Sequence, residues 1–81
     1  MTIRENEPTA TERLTCETIG ENVRRLRREQ GMRLDEAAAH AGINHVTWRN
    51  IEHGRANPTI RTLARAALAL GIEVADLFSP G

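Results

Sequence analysis

Apolar residues recur every three or four positions in four separate runs of this chain, and turn signals bracket each run. Ile19, Val23 and Leu26 stand at i, i+4 and i+7, which predicts a helix from about Thr18 to Gln30. Thr18-Ile19-Gly20-Glu21 has the form of a capping box at its start, and Gly31 stands at its end. A second run, Leu34, Ala37, Ala38 and Ala41, predicts a helix from Leu34 to Ala41. Asp35 and Glu36 lie in its first turn, where the helix dipole favours acids, and Gly42 tolerates the left-handed backbone that ends many helices. A third helix is predicted from His45 to His53, with Asn44 as N-cap, Trp48 and Ile51 pointing inward and Gly54 as the stop. The fourth begins at Thr59 behind Pro58, is expected to bury Ile60, Leu63, Ala67 and Leu70, and stops at Gly71. A last short helix, Val74 to Phe78, sets Val74, Leu77 and Phe78 against the others. Met1 to about Glu17 is polar, holds Pro8 and reads as a loose tail. The expected organisation is therefore a flexible tail, 1–17, and one domain, 18–81.

The second and third helices meet at a corner of only three residues containing Gly42, so they cross steeply, and the later helix can project an exposed face. Such a helix fits the major groove of DNA. With Trp48 and Ile51 inward, helical spacing sends His45, Val46, Arg49 and Asn50 outward.

Composition narrows the fold class to all-α, a compact bundle of about five short helices. Eighty-one residues make one domain, and an aromatic content of 2% leaves the core to Leu, Ile, Val and Ala. The single cysteine, Cys16, excludes an internal disulfide and fits a reducing cytoplasm. The first residues hold no apolar leader and no 18-residue apolar run occurs, so the expected location is cytoplasmic, nucleoid-associated when on DNA. Net charge is zero, which argues weakly against nucleic acid. Its distribution softens the point: residues 1–18 carry two Arg against four Glu, and residues 19–81 carry nine Arg against seven acids. His40, His45 and His53 have no i, i+4 spacing and Cys16 is remote, so no metal or other cofactor is expected. No Gly-rich phosphate loop or nucleophile–His–acid set occurs, which speaks against an enzyme.

The stretch from Arg33 to Gly54 resembles the helix-turn-helix of the Cro/repressor-type (XRE-like) DNA-binding family. Ala38, Gly42, Ile43, Trp48 and Ile51 fall at its small, turn and apolar positions. Ile51-Glu52-His53-Gly54 is similar to its "I-E-x-G" ending, and Asn57-Pro58-Thr59 to its "N-P-S/T" helix start. The likeness covers about Ile19 to Phe78 and implies a lambda-repressor-like domain. It implies base contacts for His45, Val46, Arg49 and Asn50, and DNA-backbone contacts for Arg55 and Asn57; Asn44, chiefly a cap, is also placed to reach a phosphate, and Arg33, where the chain departs from the pattern, could supply charge to the backbone instead. It further implies an ion pair between Arg27 and Glu52, and a dimer interface at Val74, Leu77 and Phe78. The chain departs from the pattern where a Gln usually opens the second helix, which is Leu34 here, and where Ser or Thr usually caps it, which is Arg33. That helix is expected to be poorly capped.

What the resemblance implies in function is a sequence-specific transcriptional regulator binding double-stranded DNA as a homodimer on a (pseudo)palindromic operator. It would be a short regulator like a phage repressor or a restriction–modification controller, with no small-molecule ligand domain and no membrane partner. The alternative is an antitoxin-type protein whose N-terminal tail binds a protein partner while the domain autoregulates its operon.

Overall fold

The computed structural model describes residues 2 and 4–81; Met1 and Ile3 of the expected tail lie outside the described residues. The element order is α1 (Ala10–Glu29), α2 (Leu34–Ala41), α3 (His45–Glu52), α4 (Ile60–Leu70) and a 3-10 helix (Val74–Phe78). The all-α expectation holds.

The start of α1 differs from the sequence expectation by more than two turns. Thr9 is the N-cap, its hydroxyl accepting from the Glu12 N–H at 3.1 Å. Thr9-Ala10-Thr11-Glu12 is an earlier copy of the same Thr-x-x-Glu signal, and nothing between it and Thr18 breaks a helix. Thr18 is consequently an interior residue whose hydroxyl donates to the Leu14 carbonyl at 3.0 Å. The segment expected as a loose tail to Glu17 is thus helical from Ala10.

The core is one cluster in which Ile19 and Val23 of α1 meet Ala37, Ala38 and Ala41 of α2. Trp48 and Ile51 of α3, then Leu63, Ala66, Ala67 and Leu70 of α4, complete it with Leu77. Small residues line the α2 and α4 faces, which lets short helices approach closely and fill the space without large aromatics. One expectation about this core fails, and one about the surface. Ile60 is 71% exposed although helical spacing puts it on the stripe of Leu63 and Ala67, because it stands in the first turn of α4, at the end of that stripe. Leu77 is wholly buried, so its side chain belongs to this domain's core and not to a surface offered to a second copy.

Three backbone features set how the helices sit. Gly42 ends α2 at φ +68°, and its left-handed backbone turns the chain directly into Ile43 and the Asn44 cap. Gly20 lies where α1 crosses the end of α3: a Cβ there would stand 2.8 Å from the Glu52 carbonyl oxygen and closer still to that of Ile51. Asn22 is buried, and its amide donates to the carbonyls of Leu77 (2.8 Å) and Ser79 (2.7 Å), tying the C-terminal segment to α1. The Gln30 amide donates to the Leu70 carbonyl at 2.7 Å, satisfying one of the orphan acceptors at the end of α4.

Candidate nucleic-acid interface

The face that α3 leaves uncovered follows from which of its residues the core takes. Trp48, Ile51 and Glu52 are buried, and helical spacing turns the remaining positions to solvent. His45, Val46 and Arg49 are exposed as expected, and Asn50 is half-buried. Thr47 is exposed too; sequence reasoning passed over it, although the same spacing predicts it. Asn44 caps the helix, its side-chain oxygen accepting from the Val46 N–H at 2.8 Å. That bond fixes the first turn and leaves the Asn44 amide group exposed beside His45.

Beneath this face the end of α3 is held by a buried polar network. The Arg27 guanidinium forks onto Glu52, Nε at 2.6 Å and Nη2 at 3.0 Å, while Nη1 donates to the Met32 carbonyl at 2.9 Å. The Trp48 indole N–H donates to the same Glu52 carboxylate at 2.6 Å. The ion pair that the resemblance implied is therefore present, with a third member that sequence reasoning missed; the i, i+4 spacing of Trp48 and Glu52 was the available signal. Hydrogen bonding to Glu52 holds the Arg27 pKa above its ordinary value, against an opposing effect of burial and with further help from the Glu52 charge. Both side chains are largely out of solvent, 13% and 3% exposed. The network joins α1, the α1–α2 turn and α3 into one rigid support.

The opening of α2 is built differently. Arg33 is exposed, and its Nε lies 3.3 Å from Asp35 and 3.4 Å from Glu36. The Glu36 carboxylate accepts from the Arg33 N–H at 3.1 Å, one half of a capping box. An arginine side chain has no acceptor to supply the other half, so the poor capping expected from Arg33 is only partly remedied. Leu34 packs against the core in the place where a polar residue was missing. Arg55 and Asn57 are exposed on the segment between α3 and α4. That segment lies against the start of α1: Gly54 to Asn57 and Pro8, Glu12, Arg13 and Cys16 line a common cleft of about 190 Å³. The packing was not visible in the sequence, because it depends on α1 beginning at Ala10.

Residues 18–77 match the family model described as a helix-turn-helix domain. An uncharacterized HTH-type transcriptional regulator of Sinorhizobium fredii is 40% identical over 62 residues, covering 76% of this chain and 80% of the relative. An HTH-type transcriptional regulator of Deinococcus deserti is 42% identical over 57 residues, covering 70% of this chain and 44% of its own length. The immunity repressor protein of Bacillus phage phi105 is 33% identical over 60 residues, covering 74% and 42%. The chain thus spans less than half the length of the last two. The crystal structure of a hypothetical transcription factor from Neisseria shares the fold, with a TM-score of 0.79 at 24% identity over 98% of this chain and 88% of that one. The chain belongs to the helix-turn-helix family, of the Cro/repressor (XRE-like) type. Among the described residues no helix is long and apolar enough to cross a membrane.

Proposed function

We propose that this DNA-binding transcriptional regulator acts as a homodimer on a (pseudo)palindromic operator, with α3 of each copy in the major groove. The observation that carries the reading is the position of α3: it follows the left-handed Gly42 corner directly and is braced from below by the Arg27–Glu52–Trp48 network. Its outer face offers His45, Val46, Arg49 and Asn50. Arg49 can fork onto guanine O6 and N7, Asn50 can pair with adenine, Val46 can meet a thymine methyl, and His45 can donate to a base or phosphate. Asn44, Arg55 and Asn57 flank this face and would set register on the phosphates without reading sequence. Arg33 would join them once released from Asp35 and Glu36. One domain of this kind reads only a few base pairs, so two copies on half-sites about 34 Å apart supply the specificity. Residues around Val74 and Phe78 and the outer face of α4 are the surface on which such a dimer would form.

Selection of bound sites from a random DNA pool tests the reading. Arg49→Ala and Asn50→Ala should each relax preference at one symmetric pair of positions, worth about 1–3 kcal/mol of discrimination per contact. Their melting curves should match the wild type. Full sequence preference in both variants would move DNA off this face of α3.

A further inference from the structure

We infer that the first half of α1, Ala10 to Glu17, is a positioning element for DNA binding: its inner edge holds the α3–α4 segment so that Arg55 and Asn57 face a phosphate backbone. The inference rests on the reading of those two residues as backbone contacts.

The segment has little structure of its own. At its start the Gly54 and Arg55 N–H groups donate to the Ile51 and Asn50 carbonyls at 3.1 and 2.9 Å, and at its end the Thr59 hydroxyl accepts from the Thr62 N–H at 3.1 Å. Between these, among the described residues, the N–H groups of Ala56 and Asn57 have no backbone acceptor. Exposure alternates along the stretch: Arg55 and Asn57 are exposed, Ala56 and Pro58 half-buried. Such alternation belongs to extended chain, and a residue before proline, as Asn57 is, favours that conformation. Ala56 packs against the core cluster. Whatever fixes the inward pair therefore aims the outward pair.

α1 supplies that support by running antiparallel to the chain from Ile51 to Asn57. Gly20 meets the backbone of Ile51 and Glu52. Three residues earlier Glu17 lies against Gly54, where a Cβ would stand 3.3 Å from the Glu17 Cα. Earlier again, Glu12, Cys16 and Asn57 border both the cleft of about 190 Å³ and a groove of about 260 Å³ that reaches Ile60 and Phe78, so the three form the wall between them. From Gly20 back to Glu12 a helix advances about 12 Å, far enough to follow the segment. The beginning of this rail is secured by the Thr9 cap and by Arg13 Nη1, which donates to the Pro8 carbonyl at 3.2 Å. Residues 10–17 lie outside the family match, which covers 18–77. A helix starting at Thr18 would brace the end of α3 and leave Ala56 to Pro58 uncovered on this side. The support also leaves the cation available, since Arg55 has no acidic partner within 4.0 Å among the described residues.

Anisotropy titrations of full-chain variants, on pool-selected operator and on random DNA across a salt series, test the role. Cys16→Pro interrupts α1 at the rail and lets the helix restart at the proline, ahead of Ile19 and the core. Affinity for both DNAs should fall about tenfold, and the slope of log K against log salt should flatten by about 2 for a dimer, one arginine contact per copy. Base preference in pool selection should stay as it was. Cys16→Ala, which keeps the helix, should bind like the wild type. A double-mutant cycle separates positioning from a general loss of stability. In an Arg55→Ala, Asn57→Ala background, Cys16→Pro should lower affinity by less than about twofold, because the groups it acts through are gone. Should Cys16→Pro fail to fold, Ala56→Gly loosens the segment with α1 intact, and the same cycle should give the same pattern. Equal losses in the two backgrounds, or wild-type binding by the variant under test, overturn the positioning role and leave Arg55 and Asn57 as backbone contacts. If the Arg55→Ala, Asn57→Ala protein binds like the wild type with an unchanged salt slope, the backbone-contact reading falls, and the positioning role with it.

Discussion

Two arginine–carboxylate junctions support the helix-turn-helix unit, and they differ in depth more than in chemistry. At the end of α3, Glu52 is bound twice by Arg27 and once by Trp48, with both charges almost out of solvent. At the start of α2, Arg33 meets Asp35 and Glu36 at longer range, with all three side chains substantially exposed. An exposed pair contributes about 0–1 kcal/mol. A buried one is costly to break, because removing one partner strands the other charge away from water. The same pairing of residue types is thus structural at one site and leaves a cation available at the other.

The comparison breaks most visibly at the deep junction. Glu52→Ala leaves Arg27 and the Trp48 N–H without their acceptor, and should cost about 3–5 kcal/mol. For a domain of this size that lowers Tm by more than about 12 °C, read by a circular dichroism melt. Glu52→Gln keeps an oxygen for one donor but loses the charge, and its Tm should fall between Glu52→Ala and the wild type. Equal melting of Glu52→Ala and wild type would reduce the deep junction to the standing of the shallow one.

Why the sequence exposed some of this and not the rest follows from range. The four main helices, the Gly42 corner and the inward Trp48 and Ile51 were legible because period and local stop signals decide them within a few residues. The Arg27–Glu52 pair, 25 positions apart, came from family resemblance, since no local pattern links those residues. The beginning of α1 is not decided by local pattern, because Thr9 and Thr18 carry equivalent Thr-x-x-Glu signals. Pro8 suggests irregular chain in the sequence, yet in the structure it directly precedes the Thr9 cap. Apolar character says that Ile60 prefers burial, while the geometry of the neighbouring helices decides that it does not obtain it; Leu77 obtains it, which removes it from the dimer surface that the resemblance implies.

A smaller effect is expected at Gly20, which sits on the same α1–α3 junction. The Cβ of an alanine would meet the Ile51 and Glu52 backbone, and neither atom is the movable end of a side chain. Gly20→Ala should therefore force the helices apart, costing about 1–3 kcal/mol in spite of alanine's better helix propensity. Chemical denaturation measures it; a stabilised variant would mean that α1 can slide without disturbing the Glu52 network, and that the deep junction is less rigid than its distances indicate.

The smallest effect on stability belongs to the shallow junction, where binding is the sharper readout. Arg33→Ala removes only exposed contacts and should change stability by less than about 0.5 kcal/mol. If Arg33 turns from Asp35 and Glu36 to a phosphate on binding, affinity should fall about equally for specific and random DNA. The slope of log K against log salt should then flatten by about 2 for a dimer. Glu36→Gln separates the two roles of the acid: its amide oxygen can still accept from the Arg33 N–H and hold the half cap, while the negative charge near the backbone is gone. Binding to any DNA should then tighten, with the melting curve nearly unchanged. If Arg33→Ala leaves the salt slope as it was and Glu36→Gln leaves affinity as it was, the start of α2 is a self-neutralised surface, and the phosphate contacts rest with Asn44, Arg55 and Asn57.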